Sequence, residues 1–158
     1  MGIFSWVKRR DKPEKPKVSY LPMLQEHLIR EEGERLKPYK CTAGKLTIGV
    51  GRNLEDVGIT REESRYLLLN DMVKVEAQAK AIFPDFDDWS IGRQVAISSM
   101  IFQLGRSGFL EFKTTIKLLK EGKWEEASKQ ALKSKWATQT PNRARRVCEM
   151  IRTGDHAR

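Results

Sequence analysis

From Leu21 onward, apolar residues recur at helical spacing through Met23, Leu24 and Leu28. Pro22 suits a first helical turn and Gly33 a stop, so the pattern predicts a short helix ending on Glu31 and Glu32. Between residues 36 and 51 the pattern changes. Pro38 and a run of glycines disfavour helix, while Tyr39, Leu46, Thr47, Ile48 and Val50 favour strand. A small antiparallel sheet turned at Thr42-Ala-Gly-Lys45 follows. Thr60-Arg-Glu-Glu63 has the spacing of a capping box. It opens a long helix carrying Tyr66, Leu67, Leu69, Met72, Val73, Val75 and Ala79, which Phe83-Pro84 ends. The apolar run 91–104 reads as a buried helix stopping at Gly105, with shorter helices at 112–121, 124–134 and 141–152. Helix, small sheet, then mostly helices is the order of an α+β, mainly α chain dominated by its helical part. No internal repeat is visible.

Composition adds bounds. The 158 residues fit one domain, or one domain with two lobes. Hydrophobic residues at 39% and charged residues at 32% are ordinary globular values. A chain of this length buries roughly 70% of its unfolded surface, so it needs no disulfide framework. Two cysteines, Cys41 and Cys148, suit a reducing compartment during folding, and spacing alone leaves a single bridge between them open.

The net charge is +9, and residues 112–158 carry twelve Lys or Arg against five Asp or Glu. Such a surface favours polyanions: nucleic acid, anionic lipid, or an acidic bacterial wall. A merely solvated basic face is an equally good reading. Nucleic-acid binding would need a groove-reading helix or stacked aromatics, and neither arrangement is evident, so no nucleic-acid partner is expected. No stretch approaches the ~20 apolar residues of a membrane span.

Residues 1–22 read as an N-terminal basic tail or linker, and residues 23–158 as the folded domain. Ile3, Phe4, Trp6 and Val7 form an apolar cluster that either docks, touches a membrane surface or stays frayed. It is too short for a signal-peptide core, and its charges follow it rather than precede it.

The candidate chemistry begins with Glu32. Cleaving a glycosidic bond needs an acid to protonate the leaving oxygen and a second group on the far face to activate water. An acid that stays protonated at neutral pH needs a dry setting, and the C-terminal end of a helix also disfavours ionised carboxylate. Glu31 and Glu32 lie at such an end. By itself, a Glu-Glu-Gly helix end reads more readily as two surface carboxylates than as a catalytic acid.

The longer pattern decides more. Glu32-Gly33, Leu36-Lys-x-Tyr39-Lys40 and Gly44-x-x-Thr47-Ile48-Gly49-x-Gly51 together resemble the T-even phage lysozyme family, glycoside hydrolase family 24. That family's signature is Glu, eight residues, Asp or occasionally Cys, five residues, Thr. Glu32, Cys41 and Thr47 fit it. Phe102-Gln103-Leu104-Gly105 is similar to the family's Phe-Gln-x-Gly. The segment from Lys133 through Trp136 and Gln139-Thr-Pro-Asn-Arg143 to Val147 resembles its Trp-x-x-Gln-Thr-Pro-Asn-Arg region. The resemblance runs over about residues 23–154.

The resemblance implies a lysozyme-like two-lobed fold with a small antiparallel sheet and a larger helical lobe. It implies a peptidoglycan hydrolase, a muramidase cutting between N-acetylmuramic acid and N-acetylglucosamine, with no cofactor and no metal. Glu32 would be the general acid, and Thr47 would hold the attacking water beside Cys41. Arg143 would pair with Glu32 as a supporting residue. Phe102, Gln103, Thr115 and Gln130 match substrate-contacting cleft positions, Gln130 standing where Asn is commoner. Asn53 matches a sheet-side position usually apolar. Trp136 is expected to pack beneath the site, and Cys148 to pack in the core.

Two departures matter. The chain between residues 51 and 60 is much shorter than in the best-known member, which implies a lower lobe lacking one helix and a more open cleft. Cys41 replaces the usual Asp, and a thiol works as base or nucleophile only as thiolate. Lys40 and Lys45 are the cations nearest in sequence. The alternative is a wall-binding or scaffold module that kept the fold without turnover. The expected setting is a monomeric endolysin, unexported, held in the host cytoplasm until a membrane-permeabilising partner of holin type releases it to the wall. The N-terminal tail leaves a virion- or envelope-associated form open.

Overall fold

The computed structural model describes residues 19–156. The apolar cluster at Ile3, Phe4, Trp6 and Val7 lies outside the described residues. The chain divides after Ile59 into two units.

The first unit opens with helix α1, Leu21–Glu32, with Pro22 in its first turn. Gly33 closes it with φ 73°, a conformation that side chains with a Cβ resist, and donates its N–H to the Ile29 carbonyl at 3.0 Å. Three antiparallel strands follow in the order β1-β2-β3: Arg35–Lys40, Leu46–Gly49 and Arg52–Asn53. Tyr39 pairs with Thr47, Lys40 with Leu46, and Thr47 in turn with Asn53. The β1–β2 ladder is irregular between Arg35 and Tyr39. Pro38 lies in that stretch and has no N–H to give. The connection between β1 and β2 is tight: Cys41 donates its N–H to the Lys45 carbonyl at 3.0 Å, and Gly44 donates to the Cys41 carbonyl at 2.8 Å. This is the turn expected at Thr42 to Lys45.

The second unit is helical. Helix α2, Arg61–Ile82, starts on a complete capping box. Glu63 N–H meets Thr60 Oγ1 at 3.1 Å, and Thr60 N–H meets Glu63 Oε2 at 2.7 Å. A short 3-10 turn, Phe86–Asp88, leads into α3, Ile91–Leu110. The helical conformation is interrupted at Gly105, φ 69° and ψ 164°, where the pattern predicted a stop, and then resumes to Leu110. Helices α4 (Lys113–Lys120), α5 (Trp124–Leu132) and α7 (Pro141–Thr153) match the expected positions. The five-residue α6, Lys135–Gln139, is not legible from periodicity. Ser134 caps it by accepting the Ala137 N–H at 3.2 Å.

The core of this unit gathers Phe83, Phe109, Ile97, Met100, Ile101, Leu119 and Ile151, all essentially inaccessible. Aromatic rings tie its ends together. Trp89 lies 4.7 Å from Phe83 and 5.0 Å from Trp124, centroid to centroid. Helix α2 carries many apolar residues, yet buries only Val75, Ala79 and Ile82. Among the described residues, no helix is long and apolar enough to cross a membrane.

The start of α3 is latched to the end of α7. Gly92 donates its N–H to the Gly154 carbonyl at 3.1 Å. Arg93 donates Nε to the Ile151 carbonyl at 3.1 Å while its guanidinium covers the Trp124 ring at 4.3 Å. A Cβ on Gly92 would stand 2.4 Å from Gly154 O and 2.5 Å from Asp155 O, both backbone atoms that cannot rotate away. Gly92→Ala is therefore expected to cost about 1–3 kcal/mol, the range for overpacking. Urea unfolding checks this, and an unchanged midpoint would mean that the end of α7 yields freely.

Candidate active site

Glu32 is the last residue of α1, where the sequence pattern places it. Its side chain is exposed, and α1 buries none of its residues. The dry setting expected for the acid is therefore not supplied by its own unit.

The turn and sheet bring Cys41 and Thr47 together. Thr47 is 3% exposed, the one buried residue among the described residues of the first unit. Its hydroxyl donates to the Lys45 carbonyl at 3.0 Å, the same oxygen that accepts the Cys41 N–H. One hydroxyl has one proton, so with that proton on Lys45 the oxygen faces other groups as an acceptor.

The half-buried Cys41 thiol is held below its ordinary pKa. The backbone N–H of Ala43 contributes most, then that of Lys45, and burial opposes them. The turn's own amides, rather than a neighbouring cation, stabilise the thiolate. Lys45, one of the two lysines considered for that role, instead places its ammonium 3.1 Å from Asp56 Oδ1 and 3.8 Å from Glu55 Oε2.

Asn53 lies opposite Thr47 on β3. Its Oδ1 accepts the N–H groups of Glu55 and Asp56, both at 3.0 Å, and its Nδ2 donates to Asp56 Oδ2 at 2.8 Å. Asn53 therefore organises the connection after β3 as an Asx turn, which is why a polar residue can stand at a position usually apolar.

In the second unit, Gln103 accepts the Trp136 indole N–H on Oε1 at 2.9 Å. An indole N–H only donates, so this bond fixes the amide's orientation and turns its NH2 outward as a donor. Trp136 itself is buried and packs edge-on against Phe112. Thr115 and Gln130 line, with Trp136, Lys113, Lys133 and Lys135, an open cavity of about 400 Å³. Thr115 is only 2% exposed, so it forms the wall rather than the rim. Phe102, 49% exposed, lines a different and mostly apolar cavity of about 490 Å³ together with Arg143, Leu69, Met72, Val73 and Val95. Arg143 donates through one guanidinium nitrogen to Ser99, reaching its carbonyl at 3.2 Å and its hydroxyl at 3.0 Å.

The residues expected at the site in this unit thus fall into two groups: Gln103, Thr115 and Gln130 around Trp136, and Phe102 with the supporting Arg143. Among the described residues, no group of three His, Cys, Asp or Glu side chains is arranged to hold a metal ion.

Sequence reasoning missed the Lys45 carbonyl, a backbone group that no residue type announces. It also missed Glu55 and Asp56. Their signal was present: an Asn two and three residues ahead of two acids, in a short connection, is a turn-forming pattern.

A sheet turn presenting a thiol and a hydroxyl, after a helix ending in a carboxylic acid, followed by a helical unit, defines a lysozyme-type architecture. The chain matches the phage lysozyme family over residues 29–149. It is 34% identical over 163 residues to a probable T4-type lysozyme of Dictyostelium discoideum, covering 83% of this chain and 94% of that protein. It is 32% identical over 160 residues to the pre-baseplate central spike protein Gp5 of Enterobacteria phage T4, covering 84% of this chain but 28% of that one. It is 37% identical over 90 residues to the endolysin of Salmonella phage P22, covering 52% of this chain and 60% of that protein. The chain belongs to the phage lysozyme family, a family of lysozyme-type peptidoglycan hydrolases.

The two thiols should behave oppositely. Cys148 on α7 is 1% exposed, and burial pushes its pKa up to about 11. Iodoacetamide should alkylate Cys41 in the folded protein and Cys148 only after unfolding; two fast sites would contradict the packing of α7. Between pH 9 and 11 the unfolded chain loses the Cys148 proton while the folded one keeps it. Stability should therefore fall with rising pH across that window. Cys148→Ala should flatten that fall, read by urea midpoints at each pH.

Proposed function

We propose that this chain hydrolyses the β-1,4 bond between N-acetylmuramic acid and N-acetylglucosamine in peptidoglycan. Glu32 acts as general acid, and a water between Cys41 and Thr47 is the nucleophile. The observation that carries this reading is the pair of hydrogen bonds to Lys45 O, which sets the Cys41 backbone and the Thr47 hydroxyl around one fixed point.

The step balances. Glu32 gives its proton to the glycosidic oxygen as the bond from the anomeric carbon to that oxygen breaks. The water donates one hydrogen to Thr47 Oγ1 and the other to the Cys41 thiolate. Its remaining lone pair adds to the anomeric carbon as its proton passes to sulfur. Glu32 ends as carboxylate and Cys41 as thiol, and solvent exchange returns both. A thiolate already favoured by turn amides does the work usually given to an aspartate without requiring a nearby lysine.

On the helical unit, the Gln103 amide NH2 is preset to donate to a substrate carbonyl or hydroxyl, and the cavity at Thr115 and Gln130 suits a polar saccharide or its peptide stem. The three lysines on that cavity favour acidic stem peptides. Phe102 offers an apolar face to a sugar ring, Arg143 remains a supporting residue anchored on Ser99, and Asn53 contributes through the loop it orders. The protein works as a monomer without cofactor or metal. Its setting is that of an endolysin released to the wall by a holin-type partner. The match to a central spike protein favours a virion-associated role as the second setting.

Purified peptidoglycan with product analysis by mass tests the reading. Reducing-end muropeptides are expected, without anhydro ends. Glu32→Gln should cut turnover by on the order of a hundredfold or more while the fold is kept. Cys41→Asp should retain activity and Cys41→Ala should lose it. Retained clearing by Glu32→Gln would overturn the assignment of the acid. Wall binding with no bond cleavage by the unaltered chain would favour the scaffold alternative.

A further inference from the structure

Lys45 is more than a turn residue. Its carbonyl accepts both the Cys41 N–H and the Thr47 O–H, at 3.0 Å each. Its ammonium is gripped by two carboxylates, Asp56 at 3.1 Å and Glu55 at 3.8 Å. Glu55 reaches further: its Oε1 accepts the Leu46 N–H at 3.0 Å, at the start of β2. The loop 53–58 is held for this task by Asn53, whose side chain takes two loop amides and the second oxygen of Asp56. Its backbone is tied down as well. Leu54 donates to the Leu46 carbonyl at 2.8 Å, and Val57 donates to the Asn53 carbonyl at 3.2 Å.

We propose that the acidic loop 53–58 is a clamp on Lys45 and Leu46 that positions the Cys41 thiol and the Thr47 hydroxyl, with Lys45, Glu55 and Asp56 as positioning residues. None of the three touches the reacting atoms. They act through the backbone of residues 45 and 46. The importance of the pair to catalysis rests on the reading of Cys41 and Thr47 given above; the clamp itself does not.

Two exposed ion pairs add little stability alone, because solvent screens them. Their effect here is geometric. Lys45 is the residue between the thiol turn and β2, so a small rotation of its peptide group displaces the acceptor of both bonds. Thr47 is the only buried residue among the described residues of this unit, so no packed core holds that peptide in place. The loop does it instead.

The test separates positioning from simple charge. The charged groups on the turn, its loop and the strands paired with β2 are Lys45, Glu55 and Asp56, with Arg35, Lys37 and Lys40 on β1 and Arg52 on β3. If Lys45 and the acids acted on the thiol only through their fields, Lys45→Met would raise its apparent pKa, and Glu55→Gln with Asp56→Asn would lower it. A clamp predicts the same direction for both, upward, because either change frees the turn whose amides stabilise the thiolate.

The full-length protein and these variants are alkylated with iodoacetamide across pH 6–10, and the rate at Cys41 is followed by peptide mass. The midpoint should rise in Lys45→Met and in the Glu55→Gln/Asp56→Asn double variant, and return toward the original in Lys45→Arg. Amide exchange at Cys41 should accelerate severalfold in the first two. On peptidoglycan, kcat should fall on the order of tenfold with KM little changed, the pattern of a misplaced catalytic group.

Midpoints moving in opposite directions, or not at all, overturn the clamp. So does unchanged amide exchange at Cys41, and a midpoint that Lys45→Arg fails to restore. A raised midpoint with faster exchange but undiminished turnover leaves the clamp standing and overturns the catalytic role of Cys41.

Discussion

The carbonyl oxygen of Lys45 accepts two hydrogen bonds, one from the Cys41 backbone and one from the Thr47 hydroxyl, and the chemistry of the first unit is arranged around it. A carbonyl has two lone pairs, so both bonds can form at once. That arrangement fixes where the hydroxyl proton rests. It also brings the amides of Ala43 and Lys45 toward the thiol, which holds its pKa below the ordinary thiol value.

The two units keep their geometry by different means. The helical unit has a conventional core, with aromatic rings and aliphatic side chains at near-zero exposure and an arginine latch between α3 and α7. Gln103 and Trp136 inherit their fixed orientation from that packing. The sheet unit buries one residue among those described, so turns, an Asx motif and charge-assisted hydrogen bonds must hold its shape. Networks of that kind are individually weak and collectively specific. They are also sensitive to changes well away from the reacting atoms.

Much of the helical architecture was legible in advance because it follows from local rules. The capping box at Thr60 and Glu63 formed both of its bonds, and Gly33 and Gly105 interrupted helices where the pattern put them. The helix α6 was not legible, since five residues are too few for periodicity to register. Helix α2 shows the complementary limit. Tyr66, Leu67, Leu69, Met72 and Val73 look like core residues by composition, yet they are exposed, because apolar character does not say which neighbour a face will meet.

For the site, the sequence by itself determined the residue types and their order: an acid at a helix end, a thiol nine residues on, a hydroxyl six beyond that, and distant matching segments. These are properties of spacing, and spacing survives in a linear string. Only the tertiary structure decided how those groups are held. It paired Lys45 with Glu55 and Asp56, set Asn53 to ordering a loop, and divided the residues expected at the helical side of the site between two cavities. The physical reason is that backbone carbonyls and amides carry most of this work. Every residue has them, so their use is written in geometry rather than in residue type.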